Sequence, residues 1–154
     1  MTKNNWPTFF IVGAPRSGTT SLYNYLKTIP EIFMSPVKEP GYFIPNDFRG
    51  FTKKKYLELF KNVKDEIMIG EASAGYLASR EASLKIKKEI PHAKIIITLR
   101  DPVERTFSDY LNNLRTGNVK RTFEQDFENF LRNNKEQSHL KKSIPVSMFF
   151  EQVE

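Results

Sequence analysis

Apolar residues along this chain fall into short continuous runs and into spaced stripes, and the two patterns predict different elements. Thr8 to Val12 (TFFIV) is a continuous run that ends abruptly in Gly13-Ala14-Pro15-Arg16-Ser17-Gly18, the way a buried parallel strand enters a tight loop. From Thr19 the spacing of Leu22, Tyr25, Leu26 and Ile29 draws an apolar helical stripe, which Pro30 closes. Residues 31–50 hold Pro36, Pro40 and Pro45, too many for regular structure, yet Ile32, Phe33, Met34, Tyr42 and Phe43 favour burial. That segment reads as an ordered loop. Tyr56, Leu57 and Phe60 mark a short helix, Ile67-Met68-Ile69-Gly70 a second strand leading into Glu71-Ala72-Ser73, and Ser83 to Ile90 a helix stopped by Pro91.

Lys94 to Leu99 (KIIITL) is the clearest strand: β-branched, continuous and bounded by turn chemistry on both sides. Asp101-Pro102-Val103-Glu104 is then a helix start, with Asp as N-cap, Pro in the first helical position and Glu three residues after the cap. Val103, Phe107, Tyr110, Leu111 and Leu114 fall on one face of that helix, and Arg105, Ser108 and Asn112 on others. Three strands with helices between them predict an α/β layer with a parallel sheet, whose ligand site lies at the carboxyl ends of the strands. The 13–21 loop, Glu71 and Arg100 all fall at such ends, which makes that edge the candidate site.

A chain of 154 residues with 39% hydrophobic content is enough for one domain and one core. Lys and Arg outnumber Asp and Glu by 24 to 18, a net +6 that suits an anionic ligand. Much of the excess lies in runs such as Lys53-Lys54-Lys55 and Lys85-Ile86-Lys87-Lys88, which read as solvated helix faces. The absence of cysteine removes disulfides and thiol chemistry, and His92 and His139 are too few for a histidine cluster, so no metal site is expected. Met1 to Pro7 lacks a signal-peptide core and no run approaches a membrane span; the expectation is a soluble, cytoplasmic protein.

Gly13-Ala14-Pro15-Arg16-Ser17-Gly18-Thr19-Thr20 has the G-x-x-x-x-G frame of a phosphate-binding loop opening onto a helix N-terminus, where free N–H groups and the helix dipole favour an anion. The lysine that a nucleoside triphosphatase places after the second glycine is here Thr19, and the nearby cation is Arg16 inside the loop. A phosphoryl-transfer enzyme with a loop of this shape is one rival reading; a turn that binds nothing is another. A nucleic-acid binder fits poorly, because the lysine runs carry no interleaved stacking aromatics.

Pro15-Arg16-Ser17-Gly18-Thr19-Thr20-Ser21-Leu22 after an apolar strand resembles the 5'-phosphosulfate loop of the sulfotransferase family. Leu99-Arg100-Asp101-Pro102-Val103-Glu104-Arg105-Thr106-Phe107-Ser108-Asp109-Tyr110 is similar to the 3'-phosphate-binding segment of glycan sulfotransferases, particularly the heparan sulfate group and its bacterial relatives. The resemblance implies a three-layer, P-loop-type parallel sheet flanked by helices, and 3'-phosphoadenosine-5'-phosphosulfate as co-substrate without a metal. It implies that Arg16, the N–H groups of Ser17, Gly18, Thr19 and Thr20, and the hydroxyls of Thr19, Thr20 and Ser21 hold the 5'-phosphate and sulfuryl oxygens. Arg100 and Ser108 would grip the 3'-phosphate. Lys38-Glu39-Pro40-Gly41-Tyr42-Phe43 resembles the K-E-x-x-F-F segment whose glutamate is the catalytic base of heparan-type enzymes, which makes Glu39 the expected base; Gly41 and Tyr42 depart from the commonest pattern. The acceptor is expected to be a glycan or a smaller hydroxyl or amine.

Two cations of the family pattern are changed. Arg16 stands where relatives usually carry lysine, and an arginine stabilises charge but is a poor proton donor. Ala72, in Gly70-Glu71-Ala72-Ser73-Ala74-Gly75-Tyr76-Leu77, stands where heparan-type enzymes often have lysine; Glu71 is expected to pair with Arg16 or another loop cation, or to form an ordinary salt bridge. The resemblance runs from Phe9 to Gly117, and weakly from Phe123 to Phe150. Ser147 to Glu154 looks like the start of a helix cut short, so residues 1–154 are expected to form a single, truncated sulfotransferase domain lacking its C-terminal strand and cap. An exposed sheet edge left by that truncation would favour self-association. A non-catalytic phosphonucleotide-binding fragment is the alternative.

Overall fold

The computed structural model describes residues 6–45 and 50–131, and its contacts divide the chain into two compact units that meet in sequence between Leu99 and Arg100. The first unit is built on a four-stranded, all-parallel sheet: β1 (Phe9–Gly13), β2 (Ile32–Met34), β3 (Met68–Ala72) and β4 (Lys94–Ile97), in the spatial order β2-β3-β1-β4. β1 is central because all five of its residues are buried, as its unbroken apolar run requires. Its side chains alternate between two cores. Phe9 and Ile11 pack with Tyr23, Leu22 and Leu26 of α1 (Thr19–Leu26) on one face. Phe10 and Val12 pack with Tyr56 of α2 (Lys53–Glu58), Phe60, and Ala82 and Ile86 of α3 (Arg80–Glu89) on the other. The unit therefore has three layers, helix on sheet on helix, as expected.

The second core is largely aromatic: Phe10, Phe43, Tyr56, Phe60 and Tyr76 are each at most 2% exposed, and their rings meet mostly edge to face at 5.4–6.2 Å. Each such side chain contributes roughly 1.5–3 kcal/mol by leaving water. On the opposite face Gly70 has no side chain for a steric reason: a Cβ there would stand 2.3 Å from the Phe9 ring and 2.4 Å from Met34 Sδ.

Local chemistry sets the helix starts. Thr52 caps α2 through Lys55 N–H at 3.3 Å, and Ser79 caps α3 through Ala82 N–H at 3.2 Å, each cap being worth about 1 kcal/mol. In the second unit, Asp101 Oδ1 accepts from Val103 and Glu104 N–H, both at 3.0 Å, and Pro102 opens α4 (Pro102–Arg115), the start expected from the sequence. α5 (Phe123–Leu131) follows behind a reciprocal capping box, Thr122 Oγ1 accepting from Gln125 N–H and Gln125 Oε1 from Thr122 N–H. Among the described residues no helix is long and apolar enough to cross a membrane.

Three expectations need correction. The 31–50 segment is not loop throughout, since Ile32–Met34 forms β2 and pairs with Met68–Gly70. Its prolines misled because the earliest of them, Pro36, comes after the strand has ended and removes no ladder N–H. The strand read over Lys94 to Leu99 ends at Ile97, and it lies at the sheet edge with Ile95 and Ile97 exposed. On α4 the apolar stripe is outward: Val103, Phe107, Leu111 and Leu114 are exposed, while Arg105, Thr106 and Tyr110 are buried. A spacing argument identifies a stripe but not which side the protein covers.

Candidate active site

α1 follows β1 onto one face of the sheet, and α3 follows β3 onto the other. Because β1 and β3 are neighbours, their connections part at the carboxyl edge between them, where open α/β sheets place ligands. The loop after β1 occupies one side of that crevice. It leaves the strand through Gly13 at φ 148° and enters α1 through Gly18 at φ 86°, conformations that suit glycine. Gly13 is doubly required, since a Cβ there would lie 2.9 Å from Ala74 O and from Leu77 Cβ. The loop base is tied to the strand beyond by Ala14 N–H to Thr98 O at 2.8 Å and Thr98 N–H to Gly13 O at 2.7 Å.

Between these glycines the loop is polar and outward. Arg16 adopts φ 65° and is exposed, as are Thr20 and Ser21, whereas Thr19 is buried. Ser17 N–H closes a turn onto Ala14 O at 3.2 Å, but the shielded Ser17 Oγ makes no hydrogen bond. The space in front of Gly18 is open, with no atom within 4 Å of a Cβ built there. The first N–H groups of α1 have no intrahelical carbonyl to meet. An orphaned hydroxyl, an open approach at Gly18, unmet N–H groups and one exposed guanidinium are the donor set that a phosphate or sulfate ester fits.

The other side of the crevice is formed by the turn after β3, a 3₁₀ helix (Ala74–Ala78), and by the loop 38–43. Glu39 adopts φ 58°, and its N–H donates to Ala72 O at 2.8 Å. Its carboxylate is held from two sides: Oε2 accepts from Ala74 N–H at 2.8 Å, and Oε1 pairs with the Lys38 ammonium. The side chain remains 37% exposed, so it keeps access to solvent and to a reactant. Gly41 N–H donates to Ser73 Oγ at 3.0 Å, and Pro40 and Phe43 are buried. Ala74 thus touches both halves, binding Glu39 by its N–H and abutting Gly13 by its carbonyl.

Glu71 corrects an expectation. It lies within β3, not beyond it, and is fully buried; instead of meeting a cation its Oε2 accepts hydrogen bonds from Tyr56 at 3.0 Å and Tyr76 at 2.8 Å. Burial lifts its carboxyl out of the usual carboxylate range to about 7, against the lowering effect of the Ser73, Tyr76 and Tyr56 hydroxyls, with the charge of Glu39 adding a smaller upward push. Both tyrosines are in turn pushed up, chiefly by burial and then by Glu71, and stay neutral. Sequence reasoning found this glutamate but not its setting. The available signal was the apolar company of Met68, Ile69, Tyr56 and Tyr76.

Arg100 and Ser108 belong to the second unit. Arg100 Nε pairs with Glu104 Oε2 at 3.2 Å in an exposed i,i+4 pair. Glu104 and the half-buried Ser108 share an i,i+4 step on α4, while Arg100 precedes the Asp101 cap. Arg105 beside them is buried, which pulls its guanidinium down while Asp109 opposes the shift. His92 is exposed ahead of β4, and His139 and Ser147 to Glu154 lie outside the described residues. Among the described residues no cluster of His, Cys, Asp and Glu could hold a metal ion.

Comparison with known proteins identifies the family of the chain. The family model described as "Sulfotransferase domain" matches residues 7–154. The sulfotransferase from Alicyclobacillus acidocaldarius, a solved structure, superposes with a TM-score of 0.84 at 32% identity, over 97% of this chain and 67% of that one. The membrane-associated sulfotransferase kil1 of Dictyostelium discoideum is 34% identical over 68% of this chain and 22% of its own length. Human carbohydrate sulfotransferase 15 is 31% identical over 68% of this chain and 27% of its own. Human heparan sulfate glucosamine 3-O-sulfotransferase 6 is 30% identical over 73% and 32%. The chain therefore spans between 22% and 32% of the length of these curated relatives. With a family model over residues 7–154 and a shared fold at 32% identity, the chain belongs to the sulfotransferase family.

Proposed function

We propose that this chain carries the chemistry of sulfuryl transfer from 3'-phosphoadenosine-5'-phosphosulfate to the hydroxyl or amine of an acceptor, with a glycan as the favoured class. The observation that supports it most is the shared contact at Ala74, which sets a half-exposed carboxylate beside a loop of unmet N–H donors. The names of several relatives, carbohydrate and heparan sulfate sulfotransferases, favour the glycan.

The donor, when bound, supplies a sulfuryl group already activated by its bond to a phosphate. Arg16, Ser17, Gly18, Thr19, Thr20 and Ser21 hold the 5'-phosphate and sulfuryl oxygens, and Arg100 with Ser108 holds the 3'-phosphate. Glu39 takes the proton from the acceptor hydroxyl as that oxygen bonds to sulfur. The bond from sulfur to the 5'-phosphate oxygen breaks with its electron pair, and Arg16 and the loop N–H groups meet the charge that appears there. Ala74 N–H fixes which carboxylate oxygen is engaged, leaving the Oε1 side with Lys38.

Calorimetric titration with 3'-phosphoadenosine-5'-phosphate, 5'-AMP and ATP tests the reading. A charge-assisted contact to the extra phosphate is worth about 1.5–3 kcal/mol, so the bisphosphate should bind at least about tenfold tighter than AMP. Arg100→Ala should erase that preference. Equal affinities in the unmodified protein, or ATP binding best, would point to a phosphoryl-transfer enzyme instead.

A further inference from the structure

The Glu39 backbone lies in a region that side chains other than glycine rarely occupy, so the loop around it must be held by bonds outside itself. Those bonds run to a small set of partners. Upstream, Ser35 N–H donates to Gly70 O at 2.8 Å. Downstream, Gly41 N–H donates to Ser73 Oγ, and Phe43 N–H donates to Tyr76 Oη at 3.4 Å. The Tyr42 ring stacks on Tyr56 at 4.3 Å with 14° between the planes. Tyr56 and Tyr76, which hold residues 42 and 43, share one acceptor: Glu71 Oε2.

A fully buried carboxyl is a costly way to fill space between two tyrosines; a leucine would fill it without desolvating a polar group. What the carboxyl adds is direction, since it fixes where both hydroxyls point and hence where Tyr76 can accept and Tyr56 can stack. We propose that Glu71 is a positioning residue for Glu39: through Tyr56 and Tyr76 it sets residues 41–43, and through them the carboxylate beside the Ser73–Ala74 turn. The catalytic meaning rests on the sulfuryl-transfer reading; the anchoring does not.

The test compares Glu71→Leu, which removes the acceptor, with Glu71→Gln, whose amide oxygen can accept both tyrosine bonds. Amide hydrogen exchange in Glu71→Leu should quicken by about tenfold or more at Gly41, Phe43 and Ala74, with Ile11 and Leu22 unchanged, and Glu71→Gln should resemble the unmodified protein. If Glu71→Leu does not fold, Tyr56→Phe removes one of the two hydrogen bonds to Glu71, keeps the ring against Tyr42 and the Tyr76 bond to Phe43 N–H, and should quicken exchange at the same sites by a smaller factor. With desulfated heparan sulfate as acceptor, kcat should fall about tenfold at unchanged bisphosphate affinity, and should not fall further when Glu71→Leu is added to Glu39→Gln. Exchange that rises uniformly across β1, α1 and residues 38–43, or does not rise, overturns the proposal, as does a rate loss that multiplies with that of Glu39→Gln. Failure of the sulfuryl-transfer reading shows separately, as a bisphosphate no better bound than AMP with the exchange pattern intact.

Discussion

The two loops that face each other across the β1/β3 edge are built on opposite plans. Residues 13–21 present polar groups outward: Arg16, Thr20 and Ser21 are exposed and Ser17 Oγ is unmet. Residues 38–43 turn theirs inward. The N–H groups of Glu39, Gly41 and Phe43 are bonded to the last residue of β3 and to the turn after it, and Pro40 and Phe43 are buried. A loop with unmet donors is completed by a ligand and gains its order from it; a self-satisfied loop exists to hold one side chain at one place. On the proposed function, the first plan serves a binding element and the second a reacting one.

Substitutions should separate the plans, and the largest effect belongs to the inward loop. Glu39→Gln keeps the shape and the Ala74 N–H bond but loses basicity, so turnover should fall by about 10²–10⁴ while bisphosphate affinity stays level. Arg16→Ala should reduce both, because the guanidinium meets donor charge before and during transfer. Measuring bisphosphate affinity and sulfuryl transfer side by side checks the pair. A Glu39→Gln protein with normal turnover breaks the contrast and moves the base elsewhere.

The next effect concerns the group behind the inward loop. Glu71 holds its proton up to about pH 7 in the folded chain but loses it within the ordinary carboxylate range when unfolded. Between those two values the folded state carries the extra proton, so its contribution to stability falls as pH rises, and above about 7 the burial cost is complete. Tyr56 from α2 and Tyr76 from the 3₁₀ helix face it as neutral donors, and Glu39 adds like charge. Glu71→Gln removes the titration. Relative to the unmodified protein it should gain on the order of 3 kcal/mol between pH 4 and pH 8, read from urea melts at both. A difference that does not change with pH would mean that water or a cation reaches this carboxyl.

The outward loop was far more legible in the sequence than the inward one, for a physical reason. Gly13 and Gly18 bracket a strand-to-helix turn, and local backbone geometry of that kind is written in neighbouring residues. The three long strands and the Asp101-Pro102 helix start are equally local. Glu39 could be picked out only through the K-E-x-x-F-F likeness, since its hold depends on Ala72, Ser73 and Ala74, more than thirty residues away. β2 was hidden because three residues are too few to show a period, and α5 was missed although Thr122 and Gln125 spell its capping box. The outward stripe of α4 shows the same limit: Val103 and Phe107 announce a face, but what a face meets is not a local property.

The smallest expected effect extends the outward plan to the second unit. Arg100 is exposed and its Nε is engaged by Glu104 at 3.2 Å, an i,i+4 pair whose side chains are 41% and 65% exposed. Such a pair is worth at most about 1 kcal/mol, so it competes weakly with a doubly charged 3'-phosphate for the same guanidinium. Glu104 also places a negative charge in the first turn of α4, which favours the helix but repels an approaching anion. Glu104→Gln keeps the length and removes both effects on the anion. It should tighten bisphosphate binding about two- to fivefold, leave AMP binding unchanged, and lower stability by no more than about 0.5 kcal/mol. The gain should shrink as salt is raised, because an exposed charge is screened within about 10 Å at 0.1 M. If AMP and the bisphosphate gain equally, Glu104 acts by general repulsion and Arg100 is not the group that reads the 3'-phosphate.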